Sequence, residues 1–331
     1  MEQNINVFLY QDPNLGSPNP AELSAKLDDR ITLTAGGGIP NPAGYHILIA
    51  AIPLQGHLDA SPNLHSLIIP YSGIPAATQA LLKQYPQIAV HNTPYNYIAS
   101  AETALSLVLG SAKFVAKGDR NLRRNDWTLR YSEQPQIVLH GRTVLILGYG
   151  RIGRHVGMVL NALGMDVIGV RRTVRPEDSE DAFAEVHSFG QLEALLPRAD
   201  VMVMALPATS ETDEMIGERE LSLLPDEAIL VNIGRSSTLN ETALYNALVS
   251  GKLAAAGIDV WYNYPSTIEE RLTVPPSQYP FHELKNVILS PHRSGWLGKD
   301  SSGRVAMLSE MLNAIARGEP LPNPVNLELG Y

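Results

Sequence analysis

Cysteine is absent from the 331-residue chain, which removes disulfides, thiolate metal sites and cysteine nucleophiles together. Positive charge is scarce: 25 lysines and arginines stand against 34 acidic residues, a net charge of -9. A chain this acidic has little with which to neutralise a run of phosphates, so nucleic acid is not expected as a partner. Long apolar runs are missing too. The longest, over residues 46–54, falls short of the about 20 residues that span a bilayer, and MEQNINVFLY has no basic segment leading into an apolar stretch. The nine histidines are scattered without ligand spacing, so no metal is expected. These absences lead to the expectation of a soluble, cytoplasmic protein. Its length exceeds what one compact core usually absorbs, so two domains are expected.

The most informative stretch is residues 143–153, TVLILGYGRIG. An apolar strand there runs into glycines spaced G-x-G-x-x-G and then into an amphipathic segment. A strand that turns tightly into a helix gathers unpaired N–H groups and the positive end of the helix dipole at one point, where a pyrophosphate binds. Gly148 allows the sharp turn, Gly150 lets backbone approach the phosphates, and Gly153 lets the helix lie against the strand.

Around this stretch the chain alternates strand and helix. INVFLY, ITLTA, YHILIAA, SLIIPY and residues 88–90 read as short strands, with a helix over residues 21–29, so a small parallel sheet is expected first. From Ala99 a helical stripe of Ala101, Leu105, Val108 and Ala112 begins, followed by the basic run Lys113, Lys117, Arg120, Arg123 and Arg124, read as a solvated helix end. After Gly141 come strands at residues 143–148, 166–170, 200–206, 228–233, 255–260 and 287–290, with helices at 151–163, 191–196 and 241–250. This pattern is a doubly wound Rossmann-type sheet. A last helix over residues 299–317 and a proline-rich tail are expected to rejoin the first domain. The boundaries predicted are 1–100 with 296–331 for a smaller flavodoxin-like α/β domain, and 101–295 for the dinucleotide-binding domain.

Ligands of such sheets sit beyond the strand C-termini, which singles out Arg171, Leu206, Gly234, Asp259 and His292. NAD-type sites place an acidic side chain after the second strand; this chain has Arg171, Arg172 and Thr173 there. Guanidiniums suit a phosphate, which predicts NADP(H) in preference to NAD(H). Arg235 could hold a carboxylate and polarise a carbonyl, and His292 could exchange a proton near neutral pH.

HNTPYNYIASAETALSLVLG, TVLILGYGRIG, DVMVMALPAT, VNIGRSSTLNETALYNAL, GIDVW and LSPHRSG, in this order from about residue 90 to 295, resemble the D-isomer-specific 2-hydroxyacid dehydrogenase family. The resemblance implies a substrate domain built from both chain ends, an inserted coenzyme domain and a homodimer. It also assigns roles. Arg235 and His292 would be catalytic, and backbone N–H groups of Ser72, Gly73 and Ile74 would grip the substrate carboxylate. The cofactor would be touched by Gly148, Tyr149, Gly150, Arg151, Ile152 and Gly153, by Arg171, Arg172 and Thr173, by Leu206, Pro207, Thr212, Ile233, Gly234 and Arg235, and by Asp259 and His292. Asp259 would orient the nicotinamide amide. Tyr95, Tyr97, Trp261 and Trp296 are further pocket-lining candidates.

Two positions depart from the family. Ser236 stands where glycine is common, and Tyr264 precedes Pro265 where the family has the glutamate that pairs with its histidine. Loss of that anion lowers the expected histidine pKa. The Tyr264 hydroxyl would take over the hydrogen bond, or Glu269 or Glu270 would swing in. The implied activity is reversible hydride transfer between nicotinamide and a small 2-hydroxy or 2-oxo acid, of the glyoxylate or hydroxypyruvate reductase kind. Two alternatives stay open: a weakly active NADP(H)-binding sensor or scaffold, and a dehydrogenase of formate or phosphite type.

Overall fold

Short β-branched and leucine-rich runs build two parallel sheets, of five and seven strands. The computed structural model describes residues 4–13, 15–133, 135–298 and 302–328. The chain divides into two compact units, Met1–Tyr97 with Trp296–Tyr331, and Ile98–Gly295.

The first unit comprises β1 (Ile5–Tyr10), α1 (Pro20–Ser24), β2 (Ile31–Gly36), β3 (Ile47–Ile49), α2 (Gln55–Asp59), β4 (Ser66–Ile69), α3 (Ala76–Leu82) and β5 (Ala89–Asn92). Its strands lie in the order β2-β1-β3-β4-β5, the flavodoxin-like arrangement. Alternate side chains feed two cores, Phe8, Leu48 and Leu67 on one face, Val7, Leu9 and Ile47 on the other. Helix α1 is shorter than its leucine spacing predicts. Asp28 takes the Arg30 N–H at 3.0 Å and its guanidinium at 2.8 Å, a local turn that competes with helix.

The second unit opens with α4 (Tyr97–Ala112) and continues through α5 (Val115–Leu122), β6 (Thr143–Leu147), α6 (Arg151–Ala162), β7 (Asp166–Arg171), β8 (Glu185–Ser188), α7 (Leu192–Leu195), β9 (Val201–Met204), α8 (Glu218–Leu223), β10 (Ala228–Asn232), α9 (Glu241–Val249), β11 (Leu253–Ile258) and β12 (Val287–Leu289). The order β12-β11-β10-β9-β6-β7-β8 is doubly wound about β6. Val144 and Ile146 face the core shared with α4 and α6, while Leu145 and Leu147 face the core shared with α7 and α9.

Several expectations are corrected here. The helix expected from Ala99 breaks at Phe114, whose φ is 53°, and of the basic run only Lys117 and Arg120 fall on α5, with Arg123 at its C-cap. That run is not simply solvated, because Lys113 Nζ donates to the Ile137 carbonyl at 2.7 Å and Arg120 to that of Lys285 at 3.3 Å. The helix expected over residues 191–196 shrinks to α7 between two 3-10 turns; Pro197 has no N–H with which to extend it. Strand β8 and helix α8 carry no clear apolar period and were not expected.

The chain ends in α10 (Ser302–Ala316), whose Val305, Leu308, Met311 and Leu312 pack on the first sheet. The tail that follows pairs Val325 N–H with the Val90 carbonyl at 2.8 Å. Among the described residues no single helix is long and apolar enough to cross a membrane.

Candidate active site

The turn after β6 shows three different uses of glycine. Gly148 has a φ of 93°, and a Cβ there would stand 2.7 Å from the Ala205 carbonyl oxygen. A Cβ on Gly153 would stand 2.4 Å from the Gly148 oxygen, so the helix packs on the turn only without one. A Cβ on Gly150 would meet nothing within 4 Å. Its backbone faces open space, and α6 begins there with no side-chain cap on its N–H groups.

The neighbours in this motif divide between lining and support. Arg151 and Thr173 are exposed, and Ile152 packs against the core. Tyr149 is a strut: its ring is buried against Gly169, its hydroxyl donates to Asp181 at 3.1 Å, and its N–H donates to the Val170 carbonyl at 2.9 Å. That side chain turns inward and offers no wall to a ligand above the turn.

The end of β7 holds more acid than its sequence suggests. Arg171 Nη1 donates to both carboxylate oxygens of Asp178, at 2.8 and 3.2 Å, and Arg172 donates to Glu211 at 2.8 Å. Both guanidiniums thus stand beside a carboxylate. The short 3-10 turn Pro176–Glu180 folds Asp178 back, where it also accepts the Arg175 N–H at 2.7 Å.

After β9 and β10 the chain packs tightly. A Cβ on Gly234 would come within 2.6 Å of the Leu206 carbonyl oxygen, so only glycine lets these loops meet. Leu206 and Ile233 are buried, and the Thr212 hydroxyl donates to the Pro207 carbonyl at 2.7 Å, closing the loop between them. Arg235 follows in extended conformation, an exposed residue whose carbonyl is held by the Thr238 hydroxyl at 2.7 Å and whose guanidinium donates to the Gly234 carbonyl at 2.8 Å. Ser236 begins a 3-10 turn there.

His292 adopts a left-handed φ of 55°, a strained choice for a residue with a Cβ that needs outside support. Asp259 supplies it. This buried carboxylate accepts from the Ser290 hydroxyl, from Arg293 N–H at 2.9 Å and from Ser294 N–H at 2.9 Å. It therefore clamps the loop on both sides of the histidine. Trp261 adds a bond from its indole N–H to the Ser290 carbonyl at 2.8 Å.

The Tyr264 hydroxyl accepts the Trp261 N–H at 3.0 Å and lies 2.8 Å from His292 Nδ1. Glu270 does not approach the histidine; it accepts Ser266 N–H at 2.6 Å within its own turn. Burial raises the Tyr264 pKa, so near neutral pH the imidazole faces a dipole, not a charge. The His292 pKa is lowered, first by withdrawal from water and then by the charge of Arg235, with Asp259 opposing. Arg235 also acts on Tyr264, so guanidinium, phenol and imidazole share one electrostatic neighbourhood.

In the first unit a hydrogen-bonded loop follows β4. Ser72 Oγ donates to Asn96 at 2.7 Å, and Asn92 Nδ2 donates to the Ser72 carbonyl at 2.7 Å. Among the described residues the backbone N–H groups of Ser72, Gly73 and Ile74 donate no hydrogen bond. Consecutive free N–H groups suit a carboxylate. Tyr95 lies with Arg304 beside this loop, while Trp296 is exposed. The places of Asn96 and Arg304 had no signal in the sequence, since each depends on contacts between distant segments, and that of Asp178 depends on the irregular turn that follows β7.

Comparison with known proteins bears on this geometry. The family model for the D-isomer specific 2-hydroxyacid dehydrogenase NAD binding domain matches residues 105–294. The chain belongs to the D-isomer-specific 2-hydroxyacid dehydrogenases. Glyoxylate reductases of Thermococcus gammatolerans and Aeropyrum pernix are 37% and 36% identical to it over 248 residues, covering 73% of this chain and 70% of each relative. Among solved structures, a D-isomer specific 2-hydroxyacid dehydrogenase from Xanthobacter autotrophicus in complex with NADPH and MES superposes with a TM-score of 0.78 at 24% identity, over 99% of this chain and 100% of that one. An NADPH-dependent glyoxylate/hydroxypyruvate reductase from Sinorhizobium meliloti gives 0.75 at 19%, over 99% and 100%.

The protein is thus an NAD(P)-dependent D-2-hydroxyacid dehydrogenase. In this dehydrogenase the glycine turn suits a dinucleotide: the open face at Gly150 and the uncapped start of α6 form a cradle that a side chain would fill.

Proposed function

We propose that this dehydrogenase works as an NADP(H)-preferring reductase of small 2-oxo acids such as glyoxylate or hydroxypyruvate. The observation that carries the reading is the Tyr264–His292 pair, 2.8 Å apart, within the field of Arg235. The glyoxylate reductase relatives support the substrate class. The nicotinamide supplies the hydride.

This chain's own groups do the rest. Backbone N–H groups of Ser72, Gly73 and Ile74 hold the carboxylate. Arg235 stabilises negative charge growing on the oxo oxygen, and His292 delivers a proton to it from Nε2, since Nδ1 is engaged by Tyr264. In the imidazolium Nδ1–H donates to the phenol oxygen, and the neutral ring left after the transfer keeps that proton on Nδ1. Nε2 is then bare and can take a proton back in the oxidative direction.

The preference for NADP(H) rests on Arg171 and Arg172. Arg171 is paired with the largely buried Asp178, and Arg172 with the exposed Glu211. A 2′-phosphate would be met by exchanging these carboxylate partners, Arg172 having the more exposed one, and NAD(H) remains usable. A homodimer and a cytoplasmic location complete the proposal.

Its test is NADPH and NADH consumption by the purified protein against a panel of 2-oxo acids, with formate and phosphite assayed in the oxidative direction. Glyoxylate or hydroxypyruvate reduction, faster with NADPH, is expected. A neutral phenol where a carboxylate would raise the histidine pKa favours a second reading, nucleotide binding with little turnover. Thermal stabilisation by NADPH without reduction of any oxo acid would establish that reading instead.

A further inference from the structure

Arg304 on α10 is held against the segments that build the carboxylate loop. Its guanidinium carbon lies 4.5 Å from the ring centre of Tyr71 and 4.9 Å from that of Tyr95. Its two terminal nitrogens donate to the Gly16 carbonyl at 2.8 Å and to the Tyr95 hydroxyl at 2.7 Å. Tyr71 closes the cluster by donating to the same Gly16 carbonyl at 2.8 Å. No carboxylate pairs with Arg304 among the described residues, and its Nε is buried without a partner. An arginine in that state gains its hold from ring faces and carbonyls, and its charge stays uncompensated.

The placement of the cluster gives it a consequence. Tyr71 immediately precedes Ser72, and Tyr95 immediately precedes Asn96, the acceptor of the Ser72 hydroxyl. The Tyr71 carbonyl also accepts the Thr93 N–H at 3.1 Å. Arg304 therefore grips both strands of chain that frame the free N–H groups of Ser72, Gly73 and Ile74.

We infer that Arg304 is the positioning residue of the carboxylate subsite: stacked between Tyr71 and Tyr95, it fixes the Ser72–Ile74 loop and lends the loop a positive field. Its donors point into protein, so it acts through the loop and touches no substrate. The inference rests on the carboxylate-holding role of that loop proposed above.

The test is the Arg304→Met and Arg304→Lys pair assayed with glyoxylate. Arg304→Met is expected to raise KM for glyoxylate about tenfold, leaving kcat within about threefold and KM for NADPH within about twofold. Arg304→Lys, which keeps the charge and loses the fork, is expected to fall between that variant and the native chain. A merely structural residue would lower the melting temperature with no selective change in glyoxylate KM, and that result overturns the inference. Should Arg304→Met fail to fold, Tyr95→Phe keeps the ring and removes one acceptor; an unchanged glyoxylate KM there is equally contrary. If the native protein reduces no oxo acid, the proposed function falls separately. The inference is then read from the thermal shift induced by oxalate, expected in the native chain and lost in Arg304→Met. An equal shift in both, or none in either, overturns it.

Discussion

A phenol at position 264 changes what the histidine can do. A carboxylate beside an imidazole stabilises its charged form, whereas a neutral hydroxyl orients the ring and adds little charge stabilisation. With burial and Arg235 also acting against the imidazolium, the His292 pKa falls below the ordinary 6.5. The sign follows directly. Reduction consumes the protonated ring, so its rate declines as pH rises through that lowered pKa, while oxidation uses the neutral ring and persists above it. Arg172 is the other residue with a separable effect. Arg172→Ala is expected to lower kcat/KM for NADPH by roughly 10- to 100-fold, the loss of a charge-assisted contact to phosphate, and to leave NADH nearly unchanged. Steady-state kinetics with both nucleotides checks it; equal losses would place the guanidinium away from the 2′ position.

At the scale of elements, the β6 turn and α6 were the most legible part of the chain, because apolar run, glycine spacing and amphipathic helix all agree there. The turn also separates folding from binding. Gly150→Ala meets open space at a φ of -96°, so it is expected to change stability by less than about 1 kcal/mol while weakening NADPH binding. Gly153→Val, placed 2.4 Å from a carbonyl oxygen, is expected to cost more than about 2 kcal/mol. Denaturant unfolding beside NADPH titration distinguishes the two, and equal destabilisation would contradict the assignment. Elements held by partners were harder to read. Strand β8, EVHS, is a partly exposed edge with no alternation, and α8 owes its start to the Glu220 carboxylate accepting Gly217 N–H at 2.9 Å. The break at Phe114 had no proline or glycine to announce it.

For the molecule as a whole, an α/β fold with two parallel sheets was legible, since parallel sheets need helical crossovers and these leave a regular rhythm. The residues proposed to react, Arg235 and His292, are singled out in the sequence by their positions after strands. Their supports are not. Asp178 on Arg171, Asp259 on the Ser290–Ser294 loop and Arg304 between two tyrosines depend on side chains meeting across loops, which no local pattern encodes. The central claim is an oxo-acid reductase whose proton donor is His292, tuned by a phenol. Its most direct test is the pH dependence of kcat/KM for glyoxylate reduction with NADPH, measured for the native chain and for Tyr264→Glu. The native decline is expected below the ordinary histidine range, with Tyr264→Glu moving it up by about one pH unit. Identical profiles in the two proteins, or no glyoxylate reduction at any pH, would contradict the account.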